Sequence, residues 1–140
     1  MLTTSEIKEK ILNDVVFMGL RSAIGIIFIL HGYSKIGNDG FASWLPSLGI
    51  PSEFQILIAM AELIPGILLI VGVLSRISAS VISIVMVGAI FHVKSAASIT
   101  GEGGIELDLI LLAVALVIIV VGPGRISLSQ VIKKLPRCLH

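Results

Sequence analysis

The chain has 140 residues, 56% of them hydrophobic and 14% charged, with a formal net charge of +1 and a mean hydropathy of +1.08. Soluble domains carry roughly a quarter charged residues, and so short a chain cannot hide this much apolar surface in a water-facing fold, which leaves lipid as the sink. The small net charge and the lack of a basic block exclude nucleic acid as a partner; a single cysteine, Cys138, excludes an internal disulfide.

Residues 1–10 are polar and mixed in charge, and the first apolar run is long enough to span, so no cleavable leader is expected. Ile7 and Ile11 stand at i, i+4, which predicts an amphipathic surface helix over residues 5–13. The first span is predicted over 15–34, an apolar run broken by Arg21 and ending near His31. The following outer loop carries Phe41, Trp44 and Leu45 before Pro46. The only tryptophan thus lies beside a membrane boundary, where indole rings settle, and a short interfacial helix is expected there.

The second span is predicted over 53–74, interrupted by Glu62 and containing Pro65, which neighbouring helices make tolerable. A third follows over 76–94, with His92 and Lys94 at its far end. The fourth covers 105–122, opening on Glu106 and Asp108 and stopped by Gly122-Pro123-Gly124. Leu128, Val131, Ile132 and Leu135 repeat at i, i+3, i+4, i+7, which predicts a second amphipathic tail over 126–135. Cys138, in the charged tail beyond it, reads as a free thiol or a lipidation candidate.

Lys8, Lys10, Arg76, Arg125, Lys133, Lys134 and Arg137 flank one side of these spans, against Lys35 and Lys94 on the other. The positive-inside rule places both termini in the cytoplasm. The expected fold is all-α: one membrane domain over residues 1–140, a four-transmembrane-helix bundle with both ends inside and short interfacial helices at both termini and in the first outer loop, multi-pass in the plasma membrane.

Ionisable groups inside a span are costly and point to function. Counting inward, Arg21 lies roughly 18 Å below Tyr33 and Glu62 roughly 15 Å below Ser52. The first two helices run antiparallel, so the expectation is a buried Arg21–Glu62 ion pair that fixes the helices in register or places a proton or polar ligand beside Pro65. A second group faces outward: His31 and Lys35, four apart on one helix face, with His92, Glu106 and Asp108. His31, His92 and Glu106 are of types that suit a metal ion. The same side chains serve as well to relay protons to a quinone, to bind a polar headgroup, or to face water and cap helices.

Three ordered blocks resemble the DoxX family of small membrane proteins. Leu20-Arg21-Ser22-Ala23-Ile24-Gly25 with Phe28 and His31-Gly32-Tyr33-Ser34-Lys35 looks like its opening motif. Ala61-Glu62-Leu63-Ile64-Pro65-Gly66 with Leu69 and Gly72-Val73-Leu74-Ser75-Arg76 resembles its second-helix signature, and Gly104, Glu106 and Gly122-Pro123-Gly124-Arg125-Ile126-Ser127-Leu128 resemble its closing motif. The last departs from the family where tyrosine commonly replaces Ile126 and aspartate Ser129. The resemblance implies a four-helix inner-membrane protein linked to respiratory or sulfur redox complexes, with Arg21, His31, Lys35, Glu62, Arg76 and Glu106 as its polar positions.

Haem ligation and Fe–S spacing are not evident, so no intrinsic cofactor is expected, and a redox centre would come from a partner. Three readings follow. The chain is a subunit of a membrane redox complex offering quinone contact or proton traffic, a stand-alone binder or transporter of a lipid-like or quinone-like molecule, or a purely structural assembly subunit. The partners these imply are membrane lipid and either other subunits of such a complex or further copies of the chain.

Overall fold

The computed structural model describes residues 11–132. Its helices are α1 (Ile11–Lys35), α2 (Asp39–Trp44), α3 (Gln55–Val71), α4 (Ser75–Gly88) and α5 (Glu106–Val121). Three-residue or four-residue 3₁₀ turns stand at Leu45–Leu48, Ser52–Phe54 and Leu128–Gln130, and α4 runs into a π-helical turn at Ala89–Val93. No β-strand occurs among the described residues. The segments Ile11–Lys35, Ser52–Val71 and Ser75–Val93 are long and apolar enough to cross a membrane, and only 28%, 28% and 33% of their most apolar windows are buried within the protein. Their outward faces, with Leu30, Leu57 and Ile84 exposed, suit lipid rather than water.

α1 packs on α3, α3 on α4, α4 on α5, and α5 returns to α1. The shared core is Ile24 and Phe28 from α1, Leu69 from α3, Ala79, Ile82 and Met86 from α4, and Leu111, Ala115 and Ile118 from α5. These positions recur at helical spacing, so each helix gives one stripe to the core. The α1–α3 contact is the tightest. A Cβ on Gly25 would lie 2.6 Å from the Gly66 carbonyl, one on Gly66 2.8 Å from the Gly25 carbonyl, and one on Gly32 2.7 Å from the Ala59 carbonyl. The two backbones touch, as small residues allow in helix packing without water.

The loop of residues 36–54 contains a short helix, as expected. Asn38 caps α2 by accepting from the Phe41 N–H, and Phe41 and Trp44 stack tilted with ring centroids 6.0 Å apart. Gln55, in the first turn of α3, donates to the Lys35 and Asn38 carbonyls at 2.7 and 2.9 Å and so closes the end of α1.

The tail predicted as an amphipathic helix over 126–135 takes another form where it is described. Ser127 is extended and a single 3₁₀ turn follows. Its polar backbone groups are engaged elsewhere: the Ile126 carbonyl accepts from Arg21, and the Ser129 N–H donates to the Gly72 carbonyl at 3.3 Å. Its last positions, the N-terminal tail before Ile11, and Cys138 lie outside the described residues.

Gly66→Leu tests the glycine contact. It should destabilise the protein by about 1–3 kcal/mol in detergent thermal unfolding, because the new side chain meets backbone rather than a yielding side chain. Gly19→Ala, with open space around it, should be neutral or stabilising by up to about 1 kcal/mol. Equal stability of Gly66→Leu and the unaltered protein would refute the close contact.

Candidate functional site

The glycine contacts set the register. Gly25 lies against Gly66 and Gly32 against Ala59, so Arg21 falls opposite Ile70 and Glu62 opposite Ile29. Arg21 and Glu62 are therefore about two helical turns, or roughly 12 Å, apart along the axis. The expected Arg21–Glu62 pair does not form. The loop of residues 36–54 brings Gln55, not Ser52, level with the end of α1, which slides α3 past the depth that counting from Tyr33 and Ser52 assigns.

Glu62 is 3% exposed and its Oε1 accepts from the Lys35 ammonium, an ion pair and hydrogen bond in one. Lys35 ends α1, and a helical side chain leans toward its own N-terminus, which carries the ammonium back along α1 from its end. It remains partly exposed, 22% against 4% for the Glu62 side chain, with the Phe41 ring 5.4 Å away. Glu62 Oε2 is buried and has no hydrogen-bond partner among the described residues. One turn on, Pro65 gives α3 no N–H for the Ala61 carbonyl, which loosens the helix beside the carboxylate.

Arg21 is 1% exposed at the other end of the same interface. Its Nη2 donates to the Ile126 carbonyl at 2.5 Å; that bond is to backbone, so it does not depend on the side chain at 126. Gly72 makes room for the guanidinium: a Cβ there would lie 2.0 Å from Nη1, and its φ of +77° is one that glycine adopts without strain. Nε and Nη1 have no hydrogen-bond partner among the described residues. Beside Arg21 an open groove of about 360 Å³ is lined by Met18, Ile70, Val71, Ile126, Ser127, Leu128 and Val131. Below it, Asp14 holds the tail, accepting from the Arg125 N–H and Nε at 3.1 and 2.9 Å.

The histidines and acids of the second group do not converge. His31 is exposed and its ring meets Phe28 with centroids 6.4 Å apart. His92, in the π-helical turn, bonds through Nε2 to the Leu48 carbonyl at 2.8 Å, tying the α4 end to the loop of residues 36–54. Glu106 is exposed. No group of three or more His, Cys, Asp or Glu side chains that could hold a metal is found among the described residues, so His31, His92 and Glu106 form no metal set.

The acid that matters on α5 is Asp108, whose Oδ2 accepts from the Lys94 ammonium at 2.6 Å; Lys94 also donates to the Gly104 carbonyl at 3.0 Å. The signal was in the spacing. Asp108 shares the stripe of Leu111, Ala115 and Ile118, whereas Glu106 falls off it. Arg76 reaches the Val120 carbonyl at 3.3 Å, in the last turn of α5, where a cation is favourable.

A double-mutant cycle separates the two pairings. Lys35→Met with Glu62→Gln should show a coupling energy of about 0.5–3 kcal/mol, as for groups in contact, while Arg21→Gln with Glu62→Gln should be additive within about 0.5 kcal/mol. Coupling of Arg21 to Glu62, with none to Lys35, would overturn the register described here.

A family model described as DoxX matches residues 16–95, which hold Arg21, Lys35, Glu62 and Lys94. The Bacillus subtilis (strain 168) protein described as "Putative oxidoreductase CatD" is 34% identical over 116 residues, 82% of this chain and 85% of that protein. No solved structure matches the chain. With more than half the chain matched and a relative aligned over most of both lengths, the chain belongs to the DoxX family of membrane proteins.

Proposed function

We propose that this protein is the integral membrane subunit of a quinone-linked redox complex in the plasma membrane, and that Glu62, held by Lys35, is its proton-accepting group near the outer face. The observation that carries this reading is the second oxygen of Glu62: a buried carboxylate atom inside an apolar helix with no partner among the described residues. A buried acceptor of that kind is costly unless a ligand or a proton uses it. The description of the Bacillus relative as an oxidoreductase supports redox chemistry.

In this reading the chain crosses four times with both ends in the cytoplasm. α5 is the fourth span; its 16 residues reach about 24 Å, and Ile105 and Gly122 extend the apolar stretch. Glu106 and Asp108 mark its outer end and Arg125 its inner end. The Lys35–Glu62 pair then lies in the outer half and Arg21 at the cytoplasmic end.

A quinol headgroup is the ligand this reading assigns to the pair. When bound, a quinol supplies two protons and two electrons, the electrons leaving to a redox centre on a partner subunit. Glu62 Oε2 would accept the two protons in turn, the first passing to water along the more exposed Lys35 side before the second is taken, while Lys35 keeps the carboxylate in position through Oε1.

A mild-detergent preparation should retain an oxidoreductase partner. In that complex Glu62→Gln should lower quinol-dependent electron transfer about 10²-fold or more, the weight of one acid–base group, with assembly intact. Unchanged turnover in an assembled complex would remove Glu62 from proton transfer. The pair also bridges the glycine-lined α1–α3 contact, which favours a structural reading as the rival; Glu62→Gln would then lower the unfolding temperature alone. For topology, a reporter active only outside the cytoplasm should be active when fused in the loop of residues 97–104 and silent at the C-terminus. The reverse pattern would sink the orientation.

A further inference from the structure

We propose that the groove over Arg21 binds an anionic phospholipid, with the phosphate over the guanidinium and an acyl chain along the apolar wall. This site is distinct from the Lys35–Glu62 pair, about two helical turns away, and takes a different ligand.

The first ground is charge. The ion pairs among the described residues are Lys35–Glu62, Lys94–Asp108 and Arg125–Asp14, and none includes Arg21. The Arg21 side chain nevertheless is 1% exposed, with a single hydrogen bond, to a backbone carbonyl. Of five N–H donors on a guanidinium, those on Nε and Nη1 have no partner among the described residues. A buried cation without a counter-ion is destabilising by far more than a paired one. An oxyanion brought into the groove restores the charge balance. In surroundings of low dielectric the attraction acts across several ångströms, before any nitrogen is touched.

The second ground is the shape and chemistry of the wall. Met18, Ile70, Val71, Leu128 and Val131 line the groove, and Val131 is 74% exposed, Leu128 45% and Val71 41%. A free inorganic anion has no use for this wall. A neutral quinone would use the wall and one or two donors but leave the positive charge standing. A phosphodiester on an acyl chain uses both.

The third ground is level. Arg21 lies against Gly72, in the turn that joins α3 to α4, so the guanidinium stands where the apolar span ends and headgroups begin. Among the described residues the chain also carries Arg76 just after that turn and Arg125 just before the groove's tail segment, basic positions of the kind that draw anionic lipid.

The test is native mass spectrometry of the full chain released from mixed vesicles of dioleoyl-phosphatidylglycerol and dioleoyl-phosphatidylcholine, which share acyl chains and differ in headgroup charge. The unaltered protein should retain one phosphatidylglycerol per chain with at least about fivefold preference over phosphatidylcholine, the weight of one basic side chain near an anionic surface. Arg21→Gln should abolish the preference. Leu128→Trp, which fills the groove and leaves Arg21 in place at a half-exposed position, should abolish retention of the lipid, and it decides the matter if Arg21→Gln fails to fold. Equal retention of the two lipids overturns the proposal, as does a folded Arg21→Gln that keeps the preference or a Leu128→Trp that retains the lipid. Added inorganic phosphate or menaquinone held in place of phosphatidylglycerol would also overturn it.

Discussion

The backbone contact between α1 and α3 is the constraint on which the rest depends. Gly25 and Gly66 each point a missing side chain at the other's carbonyl, and Gly32 does the same at Ala59. Helices this close have no freedom to slide, because any shift by a residue would press a larger side chain into backbone. The register they enforce brings Lys35 within reach of Glu62 and leaves Arg21 level with the α3–α4 turn. Apolar packing alone would not choose so sharply, since the lipid-facing and protein-facing side chains of these helices are similar in kind.

From that register the two buried charges receive unlike treatment. Glu62 has a lysine whose stem runs down from the end of its own helix, so the charge is matched and the ammonium stays near water. Arg21 has a backbone carbonyl from the returning tail, a glycine that makes room for it, and no acid among the described residues. The tail is held there by Asp14 binding Arg125 and by Ser129 bonding Gly72. The interface thus has a balanced end and an unbalanced end, and a ligand proposal at each follows from what that end lacks: an acceptor without a donor beside Lys35, and a cation without an anion beneath the tail.

The α4–α5 half uses the same physics. Lys94 satisfies Asp108 and the Gly104 carbonyl together, and the widened turn at Ala89–Val93 carries His92 to the Leu48 carbonyl. Turns of this π type occur often at functional positions. Here its hydrogen bond joins the α4 end to the loop of residues 36–54, so the loop that covers the Lys35 end is fastened on two sides, by Gln55 and by His92.

The amino-acid sequence by itself determined the membrane class, the all-helical fold, the positions of the long helices to within a few residues, and which ionisable groups sit in apolar runs. These follow from local quantities: hydropathy over about 20 residues, proline and glycine as stops, and the cost of a charge in lipid. The family was legible for the same reason, since Arg21, His31-Gly32 and Glu62 with Pro65 are local motifs. Pairing is not a local quantity. Arg21 and Glu62 appeared to share a depth only while both helices were counted from equal starting levels, and the helical loop of residues 36–54 removes that equality. The tail over 126–132 had a helical pattern and instead takes an extended Ser127 and a single 3₁₀ turn, because Arg21 and Gly72 claim its backbone groups. Only the tertiary structure decided who meets whom, because a glycine contact between distant segments sets the register, and a shift of two turns changes every partner along the interface.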